Sequence, residues 1–440
     1  MARQHVAPAP ARCAPRWSHG VDDRHVRGCR RRLAPRRVHR GGGNDAVSET
    51  PASGISRRAL LLGGGIGIGG AALGAAGGWA LAQSAAPVPD AAPTAGTATV
   101  PSRGRTQAGI ARPATPQRNG LVVVADTPEI TTADGVLAML ASLGDRIDAL
   151  TDPAATERVV LPDGPGDLTI TVGIGPRLVA AIDTSLPGAA TLPRFASDAS
   201  LSDDMRGGDL LISAYASDAG ALHASIADVL AAAGGAVRRW TQPCVRGAGE
   251  GTIVRNPLGY HDGIIVPHTG DELDENVWIA DGPAAGGTIA VIRRLRLDTA
   301  GFGALPGERQ DAVVGRVRAT GDPLSGGGPT AEADLTAKSP DGSYLVPSRS
   351  HVRAAHPSFT GSRLMLRRGY AYSNAAGPGQ EPDDGLLFMC FQRELDDFVR
   401  TQRRLDETDD LMTFATPTAS ASFLIVPGRT DGALGASLGR

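Results

Sequence analysis

Residues 121–150 read LVVVADTPEITTADGVLAMLASLGDRIDAL, and the change of period within them decides the fold. Leu121–Val124 is a short unbroken apolar run, which predicts a strand. From Thr132 to Leu150 the apolar residues Val136, Leu137, Met139, Leu140 and Leu143 recur at helical spacing. Working outward, the same reading gives strands at Leu168–Val172 and Asp209–Tyr215, a helix at Ala219–Ala233 and a strand at Ala236–Thr241. The order β-α-β-β-α-β is that of a ferredoxin-like unit. The second half repeats it in element order, with strands around Gly287–Arg293, Arg363–Tyr370, Gly385–Phe391 and Ser422–Val426 and helices near Arg309–Arg316 and Glu394–Leu405, although no sequence repeat is visible. The expectation is an α+β protein of two ferredoxin-like domains, residues 119–250 and 251–430, each an antiparallel sheet with helices on one face.

The chain has 440 residues and a formal charge of -2, long enough for two ordinary domains with a buried core. Its charge is unevenly spread. Residues 1–82 hold 13 Arg against 4 acidic residues, which leaves 31 basic against 42 acidic in the body. An acidic body cannot neutralise phosphates, so nucleic acid is not an expected partner. Residues 56–62, Ser-Arg-Arg-Ala-Leu-Leu-Leu, precede a Gly/Ala/Leu run ending at Ala80-Leu81-Ala82. This is the pattern of a twin-arginine export signal with a small-x-small cleavage site; an uncleaved anchor is the other reading. Residues 1–46, Arg- and His-rich without apolar periodicity, read either as disordered or as lying upstream of the true start, for which Val47 is the candidate. Residues 1–82 are thus taken as disordered N-terminus and signal, and 83–118, rich in Ala, Pro, Thr and Gly, as a flexible linker. The mature protein is expected to be periplasmic, at the cell surface or secreted, with the twin-arginine export machinery as one partner. Cys244 and Cys390 are the body's two cysteines, either one disulfide or two buried thiols.

The body offers five histidines as ligands: His223, His261, His268, His351 and His356. His223 lies in an Ala-rich helix and reads as an ordinary polar residue, and His356 precedes Pro357 in a turn. His351, in Ser350-His351-Val352-Arg353, stands sixteen residues before Arg367 in Leu364-Met365-Leu366-Arg367-Arg368-Gly369-Tyr370. Alone, these two would be a loop histidine and a strand arginine. Together with Gly259-Tyr260-His261-Asp262-Gly263, they resemble the haem-pocket motifs of dye-decolourising peroxidases. Further segments are similar to that family in the same order: Asp281-Gly282-Pro283, Gly286-Gly287-Thr288, Arg293-Arg294-Leu295-Arg296, Glu308-Arg309-Gln310, Ala319-Thr320-Gly321, Gly385-Leu386-Leu387-Phe388 and Gln402-Arg403-Arg404-Leu405. The resemblance runs from about Gln107 to Gly428. It departs where Tyr260, His261 and Ile264 replace the usual Phe, Lys and Thr, and where Gln107 lacks a preceding His; His261 thereby becomes a rival base.

The resemblance implies one haem b per chain, held mainly by the C-terminal domain, with His351 as the axial ligand of the iron. Gly259 and Gly263 would allow backbone to lie close to the cofactor plane. Asp262 would move the peroxide proton as acid–base catalyst, and Arg367 would supply a fixed positive charge for the departing oxygen. Arg353 would pair with a haem propionate. Asp409 aligns as the carboxylate behind His351, with Asp410 or Asp406 as substitutes. The implied reaction reduces hydrogen peroxide and oxidises bulky organic reductants, dyes or phenolics, by one-electron steps. Release of haem iron, as in a deferrochelatase, and non-enzymatic haem carriage are the alternatives. Homo-oligomerisation is left open. No GxSxG, HExxH or GxxxxGK[ST] is present, so serine hydrolase, zincin and P-loop chemistries lack their starting motif.

Overall fold

A computed structural model describes residues 98–155, 158–375 and 382–440. The expected signal, residues 1–46 and the first part of the expected linker lie outside the described residues. In the first half, β1 (Asn119–Asp126), α1 (Ala133–Thr151), β2 (Thr169–Ile174), α2 (Pro176–Ile182), β3 (Leu210–Ala216), α3 (Gly220–Ala232) and β4 (Val237–Val245) follow in order. The second half contains β5 (Val254–Arg255), β6 (His261–Asp262), α4 (Gly270–Asn276), β7 (Thr288–Leu297), α5 (Thr299–Gly303), α6 (Gly307–Val314), α7 (His351–Ala354) and α8 (Pro357–Thr360). After these come β8 (Leu366–Arg367), β9 (Tyr370–Asn374), β10 (Asp383–Gln392), α9 (Leu395–Thr408) and β11 (Ala415–Ile425).

The apolar run that opens the domain becomes β1, buried along its length. Its alternate residues serve two cores, which explains why the run does not alternate with polar residues. Leu121, Val123 and Ala125 pack beneath α1 and α3, beside Leu140, Leu143 and Ile226. Val122 and Val124 point the other way, to Tyr215, Trp240, Ile292 and Phe391. Helix α1 starts where Thr132 accepts the Gly135 N–H at 3.2 Å, and its face of Val136, Met139, Leu140, Leu143 and Ile147 is buried.

Strands β2-β3-β1-β4 and β11-β7-β10-β9 lie side by side in those orders, every pairing antiparallel. The two halves therefore present their strands in the same relative order. The expectation of two separate sheets is corrected: they are parts of one nine-stranded sheet, which the β7–β10 pairing closes into a barrel. The seams are narrow, two residue pairs between β11 and β2 and the single pair Val245↔Ala371 between β4 and β9. Edge strands leave N–H and C=O groups unpaired, and joining edge to edge satisfies them.

The linker expectation also fails from residue 98 onward. Val100, Gln107, Ala108, Ile110 and Gln117 are buried. Gln107 Nε2 donates to Val172 O at 2.8 Å and Val426 O at 2.9 Å, while its Oε1 accepts the Val172 N–H at 2.9 Å. Ala-, Pro- and Gly-rich composition reads as flexible, yet here one glutamine amide ties the segment across the β2–β11 seam. Cys244 and Cys390 are both free and buried, which leaves the two-thiol alternative.

Candidate active site

On the second half, among the described residues, the outer face of β7 and β10 carries no helix pair like α1 and α3. Instead α9 and the segments before β8 enclose a cavity against Leu295, Leu297, Leu386 and Phe388. Two walls of that cavity carry polar groups.

The first wall is α7, whose N-cap is the fully buried Ser350, with its Oγ donating to Pro347 O at 2.8 Å. His351 follows as the first helical residue. Its Nδ1 is 2.7 Å from Asp409 Oδ2, and Asp409 is buried at the C-cap of α9. The other Asp409 oxygen accepts the Leu411 N–H at 2.9 Å. Of the three aspartates considered, Asp409 meets His351; Asp410 pairs with Arg309 and Arg349, and Asp406 with Gln402 and the Ser197 amide. A carboxylate can only accept, so Nδ1 carries the proton and Nε2 keeps its lone pair. Nε2 makes no hydrogen bond among the described residues, and His351 lines the cavity. Burial opposes protonation of His351, but Asp409, through charge and hydrogen bond, and then Asp262 raise its pKa above the ordinary value.

The second wall is the β5–β6 hairpin, in which Val254 pairs with Asp262 and Arg255 with His261. Gly263 has φ +81°, and a Cβ there would lie 2.0 Å from Thr252 O, so glycine is needed for the strand to turn. Its N–H donates to Asp262 Oδ1 at 2.6 Å. Gly259, at φ +86°, lies against the Arg318 guanidinium. Arg255 fixes the hairpin by donating to the carbonyls of Gly259, Arg318 and Ala319. Arg367, on β8 and in register with Cys390 of β10, donates from Nη2 to Asp262 Oδ1 at 3.2 Å and from Nη1 to Ile265 O at 2.9 Å. Burial would push the Asp262 carboxyl up, yet Arg367, the Gly263 amide and His351 hold it below the usual carboxylate value.

His351, Asp262, Arg367 and Gly263 thus share one cavity, with Asp409 behind the first of them. His261 also lines it; burial, Arg255 and Arg316 lower its pKa. Tyr260 is buried and donates to Asp311 Oδ1 at 2.7 Å. Arg353 does not line this cavity: it stacks on Tyr344 and faces an outer cleft. Three lining cations had no assigned role in the sequence, Arg293, Arg316 and Arg363, the last paired with Glu394 and Asp397. Arg293, 1% exposed, pairs with the equally buried Asp198 at 2.6 Å. Arg316 is held by the carbonyls of Gly321, Pro329 and Ala331. The spacing by two of Arg293, Leu295 and Leu297 on β7 was the available signal for the first.

The donor set fits haem. Among the described residues no group of three or more His, Cys, Asp or Glu side chains could hold a metal ion. A single imidazole nitrogen facing an apolar cavity instead suits an iron that brings four donors of its own, and the carboxylate behind it makes that nitrogen more electron-donating. Asp262 and Arg367 line the same cavity as that imidazole. The class of protein that this fold and site define is a haem peroxidase.

Comparison with known proteins agrees. Residues 107–242 match Dyp-type peroxidase, N-terminal, and residues 254–430 match Dyp-type peroxidase, C-terminal. The chain is 32% identical over 292 residues to the dye-decolorizing peroxidase of Thermobifida fusca (strain YX), covering 62% of this chain and 68% of that one. It is 29% identical over 415 residues to a deferrochelatase of Yersinia pestis bv. Antiqua (strain Nepal516), covering 86% and 92%. Among solved structures it resembles an oxyferrous complex of DtpA from Streptomyces lividans, with a TM-score of 0.72, 30% identity and coverage of 78% and 98%. The chain belongs to the Dyp-type peroxidase family; it is an oxidoreductase acting on hydrogen peroxide with haem as cofactor.

Proposed function

We propose that Asp262 and Arg367 act together on hydrogen peroxide over a haem whose iron is held by His351, and that the electrons come from bulky organic reductants such as dyes and phenolics. The observation that carries this is the 3.2 Å contact between Arg367 and Asp262 in the same cavity as a histidine whose far nitrogen is bound to Asp409. Bound haem supplies the redox chemistry, accepting oxidising power from peroxide and passing it on one electron at a time.

The chain's own residues do the rest. Asp262, kept ionised by Arg367, would take a proton from one peroxide oxygen and return it to the other, which would then leave as water. Arg367 Nη2 stabilises charge on the leaving oxygen without giving up a proton, which a guanidinium does not do near neutral pH. Asp409 keeps the His351 proton on Nδ1 and fixes the ring. Apolar residues of β7 and β10 exclude bulk water from the cavity. In balance, one hydrogen peroxide and two phenols give two waters and two phenoxyl radicals.

Each half of the barrel is further read as a ferredoxin-like unit, with the haem seated mainly by the second. Export by the twin-arginine route to a periplasmic, cell-surface or secreted location belongs to the same proposal. The likeness to deferrochelatases supports release of haem iron as a second reading. Both readings are tested by incubating the haem-loaded protein with peroxide and a phenol. Two phenols consumed per peroxide, with the haem intact, supports the peroxidase reading; metal-free porphyrin as the product supports the second.

A further inference from the structure

Two residues along α7 from His351, Arg353 serves a different space. Positions i and i+2 of a helix point to different sides, and Arg353 lines an outer cleft of about 540 Å³ rather than the His351 cavity. The two share Glu332, Ala333 and His356 as a common wall. Arg353 is 6% exposed. Its Nε donates to Val346 O at 3.2 Å and its Nη2 to Leu335 O. Nη1 makes no hydrogen bond, and no carboxylate pairs with the guanidinium, among the described residues. A buried cation with an unpartnered N–H edge in a cleft calls for an anion.

The rest of the cleft carries two aromatic rings, one further cation and two carboxylates. Tyr344 and Phe359 are 44% and 42% exposed, with ring centroids 4.2 and 5.4 Å from the Arg353 guanidinium carbon. Lys338, the only lysine of the chain, stands 4.8 Å from the Tyr344 ring centroid. Tyr344 is held in place by a small hairpin: Lys338 pairs with Tyr344, the Leu345 N–H donates to Ala337 O at 3.0 Å, and the Ser339 N–H donates to Ser343 O at 2.9 Å. The acids of the cleft are already engaged, Glu332 with His356 at 2.8 Å and Asp334 with Thr336 and the Ala337 amide. Lys338 and Arg353 have no acidic partner among the described residues. Exposed rings held rigid beside two cations that have no direct acidic partner form a platform for an aromatic anion.

We propose that this cleft is a docking site for aromatic reductants bearing a carboxylate or sulfonate. The ring packs against the exposed parts of Tyr344 and Phe359, and the anion is held by Arg353 Nη1 and Lys338 Nζ. The assignment rests on the peroxidase reading, which supplies the need for reductants. A phenol docked there gives one electron toward α7, whose first residue is the proposed iron ligand His351, and one proton to solvent; two such events match one hydrogen peroxide reduced to two waters. A carboxylate of the haem itself presents the same chemistry to Arg353, so the experiment separates the two sources.

The haem-loaded protein is titrated with naphthalene-2-sulfonate and with naphthalene-2-methanol by calorimetry, without peroxide, for the native chain and for Lys338→Gln, Tyr344→Ala and Arg353→Gln. The absorption spectrum and the rate of haem transfer to apomyoglobin are recorded for each. The expected result is one sulfonate site, weakened about tenfold or more by Lys338→Gln and by Tyr344→Ala, with spectrum and haem transfer unchanged in those two variants. The alcohol binds the native chain more weakly and ignores Lys338→Gln. In turnover, KM for an anionic aromatic reductant rises in both variants while KM for peroxide stays put. Unchanged sulfonate binding in Lys338→Gln and Tyr344→Ala overturns the proposal. So does an Arg353→Gln variant that loses haem faster but binds sulfonate as the native chain does, which assigns Arg353 to the haem carboxylate. Because binding is read without peroxide, failure of the cleft is distinguishable from failure of the peroxidase reading.

Discussion

Asp262 depends on Arg367 for its protonation state. Burial alone would leave the carboxyl protonated at a higher pH; the neighbouring cation and the Gly263 amide reverse that. Removing the cation by Arg367→Leu should therefore move the acid limb of the peroxide-reaction rate to higher pH, and stopped-flow rates across the acid range would show an unmoved limb if Arg367 were not the cause. Asp262→Asn should slow that reaction by about 10²- to 10⁴-fold with haem still bound, whereas a rate close to native would pass the role to His261. His351 carries the opposite sign. Asp409 raises its pKa in the folded haem-free chain, so the pair's stabilisation is full below about 6.5, the unfolded value, and is lost as pH rises through the folded value. The melting temperature of the haem-free protein should fall over that range, and Asp409→Ala should flatten the dependence. The grouping of His351, Asp262 and Arg367 came from the family resemblance of their three motifs rather than from any local pattern, and the structure brings the three into one cavity. The direction of Arg353 was not legible, since a residue's side of a four-residue helix depends on packing that no local pattern encodes.

At the scale of elements, the β5–β6 hairpin decides where Asp262 stands. Gly263 has φ +81°, and a Cβ would meet Thr252 O at 2.0 Å. Gly263→Ala should cost about 1–3 kcal/mol in strain and slow the peroxide reaction by displacing the neighbouring carboxylate; a thermal melt and a stopped-flow trace check the two effects separately. A substitution that lowers stability but leaves the rate untouched would show that the hairpin does not position Asp262. Long amphipathic or doubly buried elements such as α1 and β1 were readable from period alone. The strand expected over Arg363–Tyr370 was not resolved that way. It is confined to β8 and β9, on either side of Arg368 and Gly369, while both pieces keep one register against β10. Residues 363–365 leave the sheet to line the cavity, a demand set by the cofactor space.

For the whole molecule, the sequence predicted the element order and the structure added closure. Nothing in β2 or β11 alone says that their edges meet over two residue pairs, because edge pairing depends on groups far apart in the chain. Gln107 makes that meeting stable, with three hydrogen bonds to the backbone of Val172 and Val426. Gln107→Ala should leave buried carbonyls unpaired and lower stability by about 1–3 kcal/mol, measured by denaturant unfolding; a neutral result would mean that the seam holds without it. The measurement that tests the central claim most directly is the absorption spectrum of the haem-loaded protein, before and after one equivalent of hydrogen peroxide, beside His351→Ala. The account predicts that the native protein binds haem through His351, so that peroxide shifts its Soret band, and that the variant loses the haem or the shift. Native-like haem binding and native-like peroxide response in His351→Ala would contradict it.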